Sequence, residues 1–139
     1  MNCPFCEVNH KRNKVIFDGQ TVYVTLSNPR LTEGHLLIIP KRHIEKPSDM
    51  NAEERKELFD TLLQFQNKII NSLAQGCDIR ENYRPFAKQD DLKVDHIHFH
   101  LIPRNPDDEI YQVYEKLQKD VFKFMTDQEI EESCNIFNH

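Results

Sequence analysis

No apolar run in this sequence approaches the roughly 20 residues that a membrane-spanning helix needs. The opening Met-Asn-Cys-Pro-Phe-Cys has neither the basic nor the apolar region of a secretory signal. Positive charge is also in deficit: 18 Lys and Arg stand against 23 Asp and Glu, a net charge of −5. That balance excludes a protein that binds nucleic acid with its whole surface. An anionic substrate must therefore find positive charge gathered locally. Internal repeats and low-complexity segments are absent. Four cysteines with no secretory signal read as reduced thiols of a cytoplasmic protein rather than a disulfide framework. A chain of 139 residues is long enough to bury a core of its own and reads as one domain.

What the chain does have is Val94–Arg104, Val-Asp-His-Ile-His-Phe-His-Leu-Ile-Pro-Arg. His96, His98 and His100 alternate with Ile97, Phe99 and Leu101. In a β-strand, successive side chains point to opposite faces. A strand over Val94–Arg104 then puts three imidazoles on one face, with neighbours about 6.5–7 Å apart. A helix would scatter them. Histidine titrates near neutrality and serves as proton carrier, nucleophile or metal ligand. If the three rings bound one metal ion, their nitrogens would have to converge within about 2.0–2.1 Å of it. Rings in i, i+2, i+4 register span roughly 13 Å of backbone, too wide for easy convergence. The alternative is nucleophilic: a central His98 attacks an electrophile such as phosphorus while its neighbours orient it or bind charge.

The other elements follow from local pattern. Cys3-Pro-Phe-Cys6 reads either as a redox pair or as half of a zinc site. Its position near the N-terminus, before a polar stretch without helical period, favours metal. Lys14–Phe17 and Thr21–Leu26 flank Asp18-Gly19, a type I′ hairpin signal. Gly34–Lys41 is a buried strand with His35 at its start and His43 just past its end. Ser48–Gly76 is a long helix, with Asn51 and Glu54 forming a capping box. Its apolar stripe runs through Leu58, Leu62, Phe65, Ile69 and Leu73, and Gly76 suits its end. Cys77 reads as a buried apolar residue. A strand over Ile79–Phe86, interrupted by Pro85, leads through the polar connector Lys88–Lys93 to the histidines. After the turn at Asn105–Asp108, Ile110, Val113, Tyr114 and Leu117 mark a short amphipathic helix, and Thr126–Phe137 another. Phe122, Phe124, Ile130 and Phe137 call for burial against the sheet or a second subunit.

His96-Ile-His98-Phe-His100-Leu-Ile matches the histidine-triad pattern, in which three alternating histidines are separated and followed by apolar residues. Gly34-His35-Leu-Leu-Ile-Ile-Pro-Lys41-Arg-His43 is similar to that family's second signature, and the Cys-x-x-Cys opening is shared by many bacterial and archaeal members. With the helix between them, the three blocks resemble the histidine triad (HIT) family over about Cys3–Tyr114. The resemblance implies an α+β fold: a five-stranded antiparallel sheet packed by one long helix, with short C-terminal helices, forming a homodimer. It places a single HIT-like domain over 1–139, with a core of about 3–114 and a helical extension over 107–139. It further implies a nucleotidyl hydrolase or transferase acting on dinucleoside polyphosphates or nucleoside phosphoramidates.

Carried over by position, the resemblance makes His98 the nucleophile and a nucleotidyl-histidine the intermediate. His100 contacts phosphate oxygens, and His35 orients it from behind. Asn28 or Ser27 bonds ribose. A structural zinc takes Cys3, Cys6, His43 and His96, so that His96 serves both metal and active site. No organic cofactor is implied, and the partners are a small nucleotide and a second copy rather than a membrane or nucleic acid. Two departures stand out. Leu92-Lys93 replaces the polar pair usual before the triad, and Asn82-Tyr-Arg84-Pro lacks the family's upstream glycine. Asn82 and Lys93 remain substrate-binding candidates, with Lys88 and Arg84 as further cations, although each also reads as an ordinary solvated side chain. Asp95 points away from the triad. The departures leave open a nucleotide-binding module with little or no catalysis, and the cysteines leave open a zinc metallohydrolase.

Overall fold

β-Branched and aromatic residues suit a pleated, half-buried surface, and the first two runs that carry them pair as β1 (Val15–Asp18) and β2 (Val22–Leu26). The computed structural model describes residues 3–6, 14–90 and 92–138. A type I′ turn needs positive φ at both central residues, but among the described residues positive φ occurs at Gly34 and not at Gly19. Asp18 already belongs to β1, and the turn is held from outside. The Glu57 carboxylate accepts the N–H groups of Thr21 (2.7 Å) and Val22 (2.9 Å) and the Thr21 hydroxyl (3.1 Å). A Cβ at Gly19 would stand 2.8 Å from both Glu57 Oε1 and the Val22 carbonyl. Glycine is needed there for close approach.

The apolar run after His35 forms β3 (Leu36–Pro40), all of it buried. β4 (Gly76–Arg80) and β5 (Phe99–Arg104) complete a five-stranded antiparallel sheet in the order β1-β2-β3-β5-β4. β4 runs earlier than the expected Ile79–Phe86. Its pairing with β5 starts at Gly76↔Arg104 and ends at Arg80↔His100. Pro85, which has no N–H to give a ladder, lies beyond it.

The long helix is α1 (Ala52–Ser72), shorter at both ends than Ser48–Gly76. Pro47–Asp49 is a separate 3-10 turn, and Gly76 opens β4. Asn51 stands at the break in extended conformation and forms both halves of the capping box with Glu54, each at 2.9 Å. Leu58, Leu62, Phe65 and Ile69 are buried against Val24, Ile38 and Leu101 from the sheet. Leu73, expected in that stripe, is instead the exposed C-cap. Its Cδ2 fills the space where a Cβ on Gly34 would fall. Cys77 is half-buried and packs on the edge of this core.

The chain divides into two units, residues 1–108 and 109–139. The second consists of α2 (Glu109–Val121) and α3 (Asp127–Phe137), the latter capped by the Thr126 side chain accepting the Glu129 N–H. Two helices of 13 and 11 residues cannot cover their own apolar faces. Phe122, Phe124, Ile130 and Phe137, expected to be buried, are exposed. No helix among the described residues is long and apolar enough to cross a membrane.

Candidate functional site

The strand between β3 and β4 brings one histidine of the three into its ladder. On β5, His100 stands opposite Leu37 of β3 and Arg80 of β4. His96 and His98 lie in the approach to the strand rather than within it, which corrects the expected Val94–Arg104 strand. The chain bends at Asp95–His96, and the Ile97 N–H bonds the Ile44 carbonyl at 2.7 Å. Phe5 packs against both His96 and His98, with ring centroids 6.0 and 5.0 Å away. His98 and His100 stay together, with ring centroids 5.1 Å apart, while His96 turns towards the cysteines and is almost completely buried.

Each ring's partners fix where its proton sits. The Leu31 N–H donates to His35 Nδ1 at 3.1 Å, so His35 carries its own proton on Nε2. That Nε2–H donates to His100 Nδ1 at 2.9 Å, which leaves the His100 proton on Nε2. Both rings are held neutral. Burial, with Arg80 close by, lowers His35 to about 4, and burial with its histidine neighbours lowers His100 to about 3. His98 uses Nδ1–H to donate to the His96 carbonyl at 2.8 Å. Its Nε2 therefore keeps a lone pair. Burial also lowers the His98 pKa, which favours the neutral form. The edge of Phe5 packs on this ring at 5.0 Å.

A cavity of about 450 Å³ opens onto these groups, lined by His98, His100, Phe5, Ser27, Asn28 and Arg80. A second, of about 110 Å³, is lined by Asn82, Arg84, Lys93, His96 and His98. Ser27 and Asn28 thus share the larger cavity with His98 and His100, whereas Asn82 and Lys93 share the smaller one with His96 and His98. Lys93 is engaged by the Ala87 carbonyl and by Asp95. Lys88 lines neither cavity. Arg80 and Phe5 were not singled out from sequence. The Arg80 signal is its cross-strand register with His100, which cannot be read until the bounds of β4 are known.

Cys3, Cys6, His43 and His96 come together as expected, each offering one ligand atom within 4.8 Å of the others. His96 Nε2–H donates to the Pro40 carbonyl at 2.7 Å, which leaves Nδ1 bare towards Cys3 Sγ (3.4 Å) and Cys6 Sγ (3.5 Å). His43 Nδ1 lies 3.3 Å from Cys6 Sγ. Tetrahedral bonds of about 2.0–2.3 Å to nitrogen and sulfur imply ligand–ligand edges of about 3.5 Å. The cluster can hold a metal ion with little movement. None of the four cysteines is in a disulfide.

The HIT domain model matches residues 8–107 of this chain. The chain belongs to the HIT family. An uncharacterised HIT-like protein of Methanocaldococcus jannaschii is 30% identical over 105 residues, covering 73% of this chain and 78% of the relative. A bis(5'-adenosyl)-triphosphatase of Dictyostelium discoideum is 25% identical over 115 residues, covering 76% and 73%. Among solved structures, a zinc-bound histidine triad family protein from Mycobacterium smegmatis superposes with a TM-score of 0.67 at 27% identity. That match covers 78% of this HIT chain and 79% of the neighbour. The antiparallel α+β fold is thus the HIT fold, and the family includes dinucleoside polyphosphate hydrolases.

Proposed function

We propose that this HIT protein is a nucleotidyl hydrolase or transferase acting at the α-phosphate of dinucleoside polyphosphates or nucleoside phosphoramidates. The observation that carries the reading is the proton arrangement around His98. Its Nδ1–H is tied to the His96 carbonyl, its Nε2 lone pair is free, and the proton-bearing Nε2 of His100 is on the neighbouring ring. In the first step the His98 Nε2 lone pair bonds phosphorus. The P–O or P–N bond to the leaving group breaks, and the leaving group takes that electron pair, an amine also taking a proton from solvent. His100 donates a hydrogen bond to a phosphate oxygen, where charge develops. In the second step water bonds phosphorus and gives its proton to solvent, or a phosphorylated acceptor attacks through an ionised phosphate oxygen. The N–P electrons return to His98. Splitting one hard displacement into two easier ones is the gain of covalent catalysis. Asn28, or Ser27 beside it, bonds the ribose from the cavity wall, and His35 holds the His100 tautomer.

Cys3, Cys6, His43 and His96 hold a structural zinc in this reading. When bound, the ion supplies a crosslink between the N-terminus, the segment after β3 and the approach to β5. Four protein donors close the coordination sphere and leave no place for water, which disfavours a zinc metallohydrolase. A nucleotide-binding module with weak catalysis is favoured by one observation: Lys93 is spent on Asp95 and a backbone carbonyl. Exposed Phe59, Leu63 and Ile70 on α1 support a homodimer through that helix, and a cytoplasmic setting suits the free thiols. The test is release of nucleoside monophosphate from a bis(nucleosyl) triphosphate or a nucleoside phosphoramidate. Wild type turns over and His98→Ala does not. Turnover that survives this substitution overturns the mechanism, and binding without turnover selects the module.

A further inference from the structure

We infer that Arg80, at the end of β4, is the cation that anchors the phosphate of a bound nucleotide in the cavity beside His100. The inference rests on the nucleotide reading above and goes beyond it by assigning the charge that the sequence left without a source. Directly opposed residues of an antiparallel pair project to the same face, and Arg80 is opposed to His100. Both line the cavity that His98 enters. Arg80 Nε is buried and has no hydrogen-bond partner. A buried donor left unpaired is costly, and in a polar cavity an anionic oxygen is the partner that best offsets the cost.

Among the described residues, the other partly buried cations near this end of the sheet are already engaged. Arg104 pairs with Asp78 and Asp108, and Lys93 with Asp95. Arg30 also faces the cavity, but from an exposed loop, and Asp90 is the carboxylate on its wall. The Asp90 side chain is occupied by the N–H groups of Leu92 and Lys93. The guanidinium also acts on its neighbours, because its field helps to keep His35 and His100 uncharged. His100 therefore presents a neutral N–H, and Arg80 presents the full charge. A phosphate that meets both receives a fixed cation without a second titrating group.

The test compares binding of the four nucleoside monophosphates and their matching nucleosides to wild type, Arg80→Gln, Arg80→Lys and Arg30→Gln. Loss of a hydrogen-bonded charge is expected to weaken monophosphate binding by roughly 10- to 100-fold in Arg80→Gln. Nucleoside affinity should stay unchanged, and Arg80→Lys should fall between. Equal monophosphate affinity in wild type and Arg80→Gln overturns the inference. So does a parallel loss of monophosphate and nucleoside binding, which marks a structural role, or a phosphate-selective loss confined to Arg30→Gln. If wild type binds neither class, the nucleotide reading itself fails, a result distinct from all of these.

Discussion

Replacing Glu57 with alanine should unfasten the β1–β2 turn from α1. The carboxylate reaches across the sequence to accept the N–H groups of Thr21 and Val22 and the Thr21 hydroxyl, with a longer contact to the Gln20 N–H at 3.4 Å. Val22 is fully buried, so its N–H has no water to turn to. Hydrogen bonds to a charged group contribute roughly 1.5–3 kcal/mol each. The two short backbone bonds at the low end of that range give about 3 kcal/mol, or about 10 °C in melting temperature for a chain of this size. Glu57→Gln, which keeps one acceptor oxygen, should lose about half of this. The effect also has a pH signature. Burial alone would raise the Glu57 pKa, but the N–H bonds from Thr21, Val22 and Gln20 outweigh it and the net shift is downward. A depressed folded value means that the stabilisation is present above the ordinary glutamate pKa. It is lost as pH falls through the depressed one. Thermal melts of wild type and Glu57→Ala at neutral and acidic pH measure the difference directly. A deficit at pH 7 that shrinks in acid is expected. A variant that melts with wild type at pH 7, or a deficit independent of pH, would refute the reasoning.

Cys3→Ser should reduce bound zinc and lower the melting temperature, as should a chelator on wild type, because binding to the folded state alone stabilises it. Metal analysis with melting curves checks this, and unchanged metal content would remove Cys3 from the ligand set. The histidine pair predicts acid lability. The folded pKa values of His35 and His100, about 4 and about 3, lie below the ordinary histidine value. From about pH 6.5 downwards the unfolded chain takes up protons that the folded chain refuses, so stability falls until the folded groups titrate. His35→Asn should flatten that slope in a pH series of denaturant midpoints; an unaltered slope would assign the loss to other groups. Gly34→Ala should destabilise the chain through both its positive φ and the overlap with Leu73, and additional Leu73→Ala should restore only the steric part. Full rescue by the second change would show that backbone conformation contributes nothing.

The strongest local signals were legible because they rest on short-range physics. Asn51 and Glu54 are three residues apart and need only one helical turn to meet, so the capping box was readable in advance. The metal cluster was carried by a family pattern rather than by geometry, and the structure does bring its four residues together. Alternation misled at the triad. A period of two is compatible with a strand, yet it does not require one, and a bend at Asp95–His96 leaves the first two rings ahead of β5. β4 escaped because Gly76-Cys-Asp-Ile-Arg is a half-exposed edge without an apolar face to mark it. Arg80 escaped with it, since its importance lies in a partner 20 positions away. Nothing in the sequence marks Glu57, because its partners belong to a turn more than 30 residues upstream.

His96 faces two ways at once. Its ring is gripped between Cys3, Cys6 and the Pro40 carbonyl, while its own carbonyl holds the proton of His98. The same residue therefore belongs both to the cysteine cluster and to the hydrogen bond that points the His98 lone pair away from its own backbone. Whatever holds this one ring in place also borders the reacting nitrogen.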